Sequence, residues 1–164
     1  WFLAQGRASD AILGALLFQL SAIIDCVDGD VARAVFKESA LGRWLDIVGD
    51  QVVHAAVFGG IALGLYRMES DGFVLWLGGS AIAGALIAFA VVMREMKQIE
   101  REGSALQRLI DATTNRDFSV LVLGLAVAEE LTWFLWMAAI GSHVFWIAAL
   151  ALQWRRPQRQ SAAA

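Results

Sequence analysis

Four aspartates fall in two pairs within residues 25–50, Asp25 with Asp28 and Asp46 with Asp50. Spacings of three and four residues put the members of each pair one turn apart on one face of a helix. Both pairs stand in strongly apolar sequence, where a carboxylate costs free energy unless it is paired or bound to a cation. Four converging carboxylates call for one or two divalent cations, and an all-oxygen ligand set favours Mg2+, Mn2+ or Ca2+. At about 100° per residue, Asp25, Asp28, Gly29 and Ala32 share one arc of a helix, with Arg33 at its edge. Gly29 and Ala32 leave room for a flat or bulky group against the backbone. Arg33 offers a forked pair of donors suited to phosphate. Gly42 repeats the small residue one turn before Asp46. Together these residues are equipped to hold a metal-bound diphosphate.

The elements that must position them are helices in a membrane. The chain has 164 residues, 59% of them hydrophobic and 18% charged, with a mean hydropathy of +0.60. Those values lie outside the soluble norm. Seven Trp accompany a single Tyr, and Trp favours the bilayer interface. Residues 1–6 read as the tail of an earlier element, and Ser9-Asp10 as a helix start. Residues 11–24 are apolar and run into the acidic stretch, interrupted by Gln19 and Ser21, polar side chains suited to bonding a neighbouring helix. Lys37, Glu38 and Ser39 mark a turn. A second helix is expected from about Leu41 to Leu65, with Gly60 and Gly64 as a small-residue pair permitting close helix packing. Residues 67–72 read as a loop and 73–93 as a full span.

Residues 94–117 alternate charged and apolar side chains at near-helical spacing, which predicts an amphipathic helix on the membrane surface. Residues 118–154 are long enough for two short spans, reversing either at residues 129–132 or at Gly141-Ser142. The first choice puts Glu129 and Glu130 at a membrane face rather than at mid-depth. Eleven of the 13 Lys and Arg lie in the acidic stretch, in residues 94–116 and in the tail, leaving Arg7 and Arg67 for the alternate loops. The positive-inside rule then puts the acidic stretch in the cytoplasm. The expected architecture is an all-α polytopic bundle with five visible spans and a surface helix, a membrane domain over residues 1–154 and a basic cytoplasmic tail over 155–164.

The acidic stretch resembles the signature of the CDP-alcohol phosphotransferases, D-x2-D-G-x2-A-R-x8-G-x3-D-x3-D. All eight fixed positions are filled: Asp25, Asp28, Gly29, Ala32, Arg33, Gly42, Asp46 and Asp50. The match covers about a sixth of the chain and is far more specific than a lone glycine loop. The resemblance implies six helices, so a further helix is expected before Trp1, and it implies a homodimer. It also implies transfer of a phospho-alcohol group, chiefly phosphatidyl, from a CDP-linked donor to an acceptor hydroxyl in phospholipid biosynthesis, with release of CMP. Two Mg2+ or Mn2+ ions would be held by Asp25, Asp28, Asp46 and Asp50, and Asp50 would take the acceptor's proton. Arg33 would hold donor phosphate, while Gly29, Ala32 and Gly42 leave room for cytidine. An Arg near the start of the fourth visible span binds a phosphorylated acceptor in several members, which points to Arg116.

The competing readings differ in chemistry. A CDP-polyol such as CDP-inositol is an alternative donor, and Asn115 to Phe118 (NRDF) faintly resembles the inositol-handling branch. A divalent-cation transporter would use the same acids but has no need of Gly29, Ala32, Arg33 and Gly42 in register, and a fixed Arg would repel its cargo. Nucleic-acid binding is not indicated, since the basic residues lack interleaved surface aromatics. Cys26 reads as a small packing residue, Asp30 as solvated, and His54 and His143 as structurally satisfied histidines.

Overall fold

Long apolar runs with short polar breaks leave the helix as the natural fold, because it satisfies its own peptide groups where water is absent. The computed structural model describes residues 1–34, 40–102 and 117–161, without the side chains at 26, 28–30, 32–34, 40–41, 43–44, 46–47, 95–102, 117 and 153–161. Among these, a 3-10 turn, Phe2–Ala4, precedes five helices: α1 Ala8–Ala34, α2 Ala40–Glu69, α3 Phe73–Glu102, α4 Asp117–Val127 and α5 Leu131–Ser161. No strand occurs among the described residues.

Four helices carry apolar stretches of membrane-crossing length: Ala8–Asp25, Val48–Glu69, Phe73–Arg94 and Leu131–Leu152. The longer three have 22 residues, a rise of about 33 Å against a hydrocarbon core of about 30 Å. The fifth is short. Its apolar part is Phe118–Val127, because Asp117 and the Glu129-Glu130 pair stop the run at either end. α2 continues to Glu69, past the expected end near Leu65. α3 continues to Glu102, so the first part of the expected surface helix is an extension of α3 rather than a separate element. Residues 94–102 contain neither Gly nor Pro, and their Arg, Lys, Gln and Glu are good helix formers. The rest of that stretch lies outside the described residues.

The reversals follow local chemistry. Between α2 and α3, Ser70 takes a left-handed φ of 56° and Asp71 Oδ1 accepts a hydrogen bond from the Phe73 amide at 2.9 Å. This caps one of the orphan donors of a helix start. Between α4 and α5, Glu129 has φ 59° and the Glu130 amide donates to the Leu125 carbonyl at 2.8 Å. The turn therefore falls at the Glu pair, and Gly141 runs inside α5.

α3 packs on α5 and on α2, and buries Ile61, Val74, Leu77, Ala81, Phe134 and Leu135 between them. Small residues permit this. A Cβ on Gly78 would collide with Ala62 of α2, and one on Gly84 would collide with Ser142 of α5. Without a hydrophobic drive between helices in lipid, such close approach supplies the packing energy. The outside is apolar instead: Leu13, Leu17, Leu20, Ile24 and Val27 lie exposed along α1, as a lipid-facing helix requires.

Gly60 and Gly64 serve a different purpose from helix–helix packing. Leu3 of the N-terminal turn lies over both and over Gly14 of α1; a Cβ on Gly64 would strike the Leu3 carbonyl, and one on Gly60 would sit 3.3 Å from Leu3 Cβ. The Arg67 guanidinium fastens the same turn by donating to the Ala4 carbonyl.

Candidate active site

The acid-bearing helices α1 and α2 scarcely meet directly among the described residues; α1 packs on α4 and on the N-terminal turn. Shared neighbours define their register. Leu3 touches Gly14 of α1 and Gly60 and Gly64 of α2. Further along, the Phe118 ring at the start of α4 meets Phe18 of α1 and His54 and Phe58 of α2. As the α1 number rises from 14 to 18, the α2 partners fall from 60 and 64 to 54 and 58, so the helices run antiparallel.

Continuing that register brings Asp25 level with Asp50, and Asp28 level with Asp46. The four positions therefore form two tiers at one end of the bundle. At 1.5 Å per residue the first tier stands about 10 Å beyond the Phe118 ring and the second about 15 Å. In the sequence, Asp25, Asp28 and Asp30 follow the apolar run of α1, and Arg43, Asp46 and Asp50 lead into that of α2, so the tiers stand where the apolar runs give way to charge. Asp25 and Asp50 are both exposed, as is Gly42. Asp28, Gly29, Ala32, Arg33 and Asp46 have described backbones in α1 and α2 but lie outside the described side chains, and Arg116 lies outside the described residues altogether. Among the described side chains, no three His, Cys, Asp or Glu gather into a metal site.

The donor set fits a hard cation. Four carboxylate-bearing positions on two antiparallel helices, in two level tiers, make an all-oxygen set of the chemistry such cations take. A carboxylate there is reachable from water, so charging the site carries less penalty than at mid-depth.

The floor beneath the tiers is aromatic, and sequence reasoning missed it. Phe118 lies 6.1 Å from Phe18, 5.4 Å from His54, 5.9 Å from Phe58 and 5.0 Å from Phe134, ring centre to ring centre, all edge-on or steeply inclined. A signal was present: Phe18 stands two turns from Asp25 on nearly the same face, and His54 one turn from Asp50. Nothing local pointed to Phe118, which comes from a distant part of the chain. His54 accordingly has ring neighbours, Phe58 and Phe118.

A second polar cluster lies between α3 and α5. The Trp146 indole donates to His143 Nδ1 at 2.9 Å, and His143 Nε2 lies 3.0 Å from Ser80 Oγ. With Nδ1 accepting, the neutral ring carries its proton on Nε2 and donates to the serine. That is the wrong tautomer for activating a serine nucleophile, so the trio is an interhelical fastening. The Gln19 Oε1 atom is buried without a partner among the described residues.

Comparison with known proteins bears on the chain's family. The family model described as CDP-alcohol phosphatidyltransferase matches residues 1–145. The chain is 30% identical to a phosphatidylinositol phosphate synthase of Cutibacterium acnes, over 81% of its own length and 58% of that protein. It is 34% identical to a bifunctional IPC transferase and DIPP synthase of Rubrobacter xylanophilus, over 74% of its length and 26% of that protein. A protein of the same description from Aquifex aeolicus is 31% identical over 48% of this chain and 18% of its own. The chain thus spans less than two thirds of each of these relatives. No solved structure matches it closely enough to compare. With the whole signature in place on two antiparallel helices and the family model extending across most of the bundle, the chain belongs to the CDP-alcohol phosphatidyltransferase family.

Proposed function

We propose that this phosphotransferase moves a phosphatidyl group from CDP-diacylglycerol to a hydroxyl of a phosphorylated polyol, releasing CMP at the cytoplasmic face. The observation that carries the reading is the two-tier register of the four aspartates at the membrane edge. A soluble nucleotide head and a lipid tail can be bound together only at such an edge. Asp25, Asp28, Asp46 and Asp50 would hold Mg2+ or Mn2+, as two ions. When bound, the metal neutralises charge on the donor diphosphate as its P–O bond breaks.

The chain's own residues do the rest. Asp50 stands in the first tier, exposed, where an acceptor hydroxyl arriving from water can surrender its proton to it. Arg33 grips donor phosphate with its fork. Gly29, Ala32 and Gly42 give the cytidine room against the helix backbones. Arg116 binds the acceptor's phosphate. The aromatic floor closes the site toward the hydrocarbon and keeps water from following the reactants inward. The acceptor class is taken from the phosphatidylinositol phosphate synthase relative. The two bifunctional relatives favour a second reading, in which a CDP-polyol is the donor. A homodimer fits either reading.

The test is CMP release by the purified full chain in lipid micelles, with CDP-diacylglycerol or CDP-inositol as donor and inositol phosphate as acceptor. Mn2+- or Mg2+-dependent CMP release with CDP-diacylglycerol supports the first reading, and release only with CDP-inositol supports the second. Cation flux in liposomes without CMP release from any donor sinks both.

A further inference from the structure

α1 and α2 carry all four aspartates, yet they are held together mainly by what stands between them. At the far end the spacer is Leu3, which lies against Gly14 and Gly60. Near the acids it is Phe118. Its ring stands edge-on to Phe18 of α1, with planes at 87°, and inclined at 72° to both His54 and Phe58 of α2. Phe134 of α5 backs it from behind at 5.0 Å and is 1% exposed. The ring cannot retreat, because a buried phenylalanine with close-packed backing has no free volume to enter. Nor can it compress, since an aromatic ring is flat and rigid.

We infer that Phe118 is the positioning residue that sets the separation of the two acid-bearing helices, and with it the distance between the backbone positions of Asp25 and Asp50 and of Asp28 and Asp46. The inference rests on the reading of those aspartates as a cation site. Metal sites hold their ligand distances within about 0.2 Å. A spacer placed about 10 Å below the first tier acts on both helices at once through their rigidity. Leucine at 118 would let α1 and α2 lean together, and alanine more so. Tyrosine would keep the ring. The loss would therefore show in affinity for the ion before it shows in the fold.

The experiment is Mn2+ binding to the full-length protein in detergent, read by electron paramagnetic resonance as loss of the free-ion signal, with thermal melting alongside. Phe118→Leu and Phe118→Ala are compared with Phe118→Tyr and with Phe73→Leu, which removes a ring from the separate Phe73–Trp136 pair of α3 and α5. The expected result is about tenfold weaker Mn2+ binding in Phe118→Leu, more in Phe118→Ala, with Phe118→Tyr and Phe73→Leu within about twofold of wild type. If Phe118→Ala does not fold, Phe118→Leu decides. Unchanged binding in Phe118→Leu overturns the spacer, as does an equal loss in Phe73→Leu, which would make the effect a generic loss of packing. A wild-type protein that binds no Mn2+ overturns the reading of the aspartates and this inference with it. A wild type that binds Mn2+ with no effect at residue 118 overturns the spacer alone.

Discussion

Asp50 differs from its three companions in the work assigned to it, and that difference is measurable. Asp50→Asn keeps the shape but removes the base, so kcat should fall by about 10^2- to 10^4-fold while donor affinity changes little. Donor titration against CMP release checks this; an unchanged kcat would return Asp50 to a purely metal-holding role. Arg33→Lys keeps the charge but loses the fork. The donor KM should rise about tenfold, or about 1.4 kcal/mol, with kcat less affected. Elsewhere, His143→Phe strips partners from Ser80 and the Trp146 indole, so stability should fall by about 1–3 kcal/mol. CMP release per folded molecule should stay normal, because the trio lies between α3 and α5. His143 was legible as structural, but its partners were not: Ser80 lies 63 residues away in the chain.

At the scale of elements, the glycines separate into those that permit contact and those that do not. Gly64→Val would drive a side chain into the Leu3 carbonyl and expel the N-terminal turn from between α1 and α2. Gly141→Ala meets nothing within 4 Å, and in mid-helix it should be neutral or stabilising by up to about 1 kcal/mol. Thermal melting of the two variants should therefore move in opposite directions or leave Gly141→Ala unchanged; equal losses would mean the turn contributes nothing. Helix existence was readable from apolar run length and from the polar breaks at residues 67–72 and 129–130; the break expected at 37–39 lies outside the described residues. Helix ends were less so. α2 and α3 both outrun the apolar stretch, because helix propensity continues after hydrophobicity stops. The glycine pair at 60 and 64 was readable as a place of close approach, but not as a seat for Leu3, because a small-residue pattern states that room exists and not what fills it.

For the whole molecule, the charge bias predicts which end faces inward. With Cys26 replaced by Ala, single cysteines at Glu69 or Glu130 should react with an impermeant thiol reagent added outside intact cells, and one at Arg94 should not. The reverse pattern would put the acids on the outer face and sink the cytoplasmic reading. By itself the sequence determined the acid spacing, the apolar runs and the reversal at the glutamates, since each depends on residues within a few turns of one another. It also carried the family signature whole, across two consecutive helices. Only the tertiary structure decided the register of α1 against α2 and the ring that holds them apart. That ring comes from α4, and a contact between residues a hundred positions apart in the chain, as Phe18 and Phe118 are, leaves no periodic trace in either neighbourhood. Local patterns say which face of a helix bears the acids; what sets the gap between two such faces is the volume of a third party.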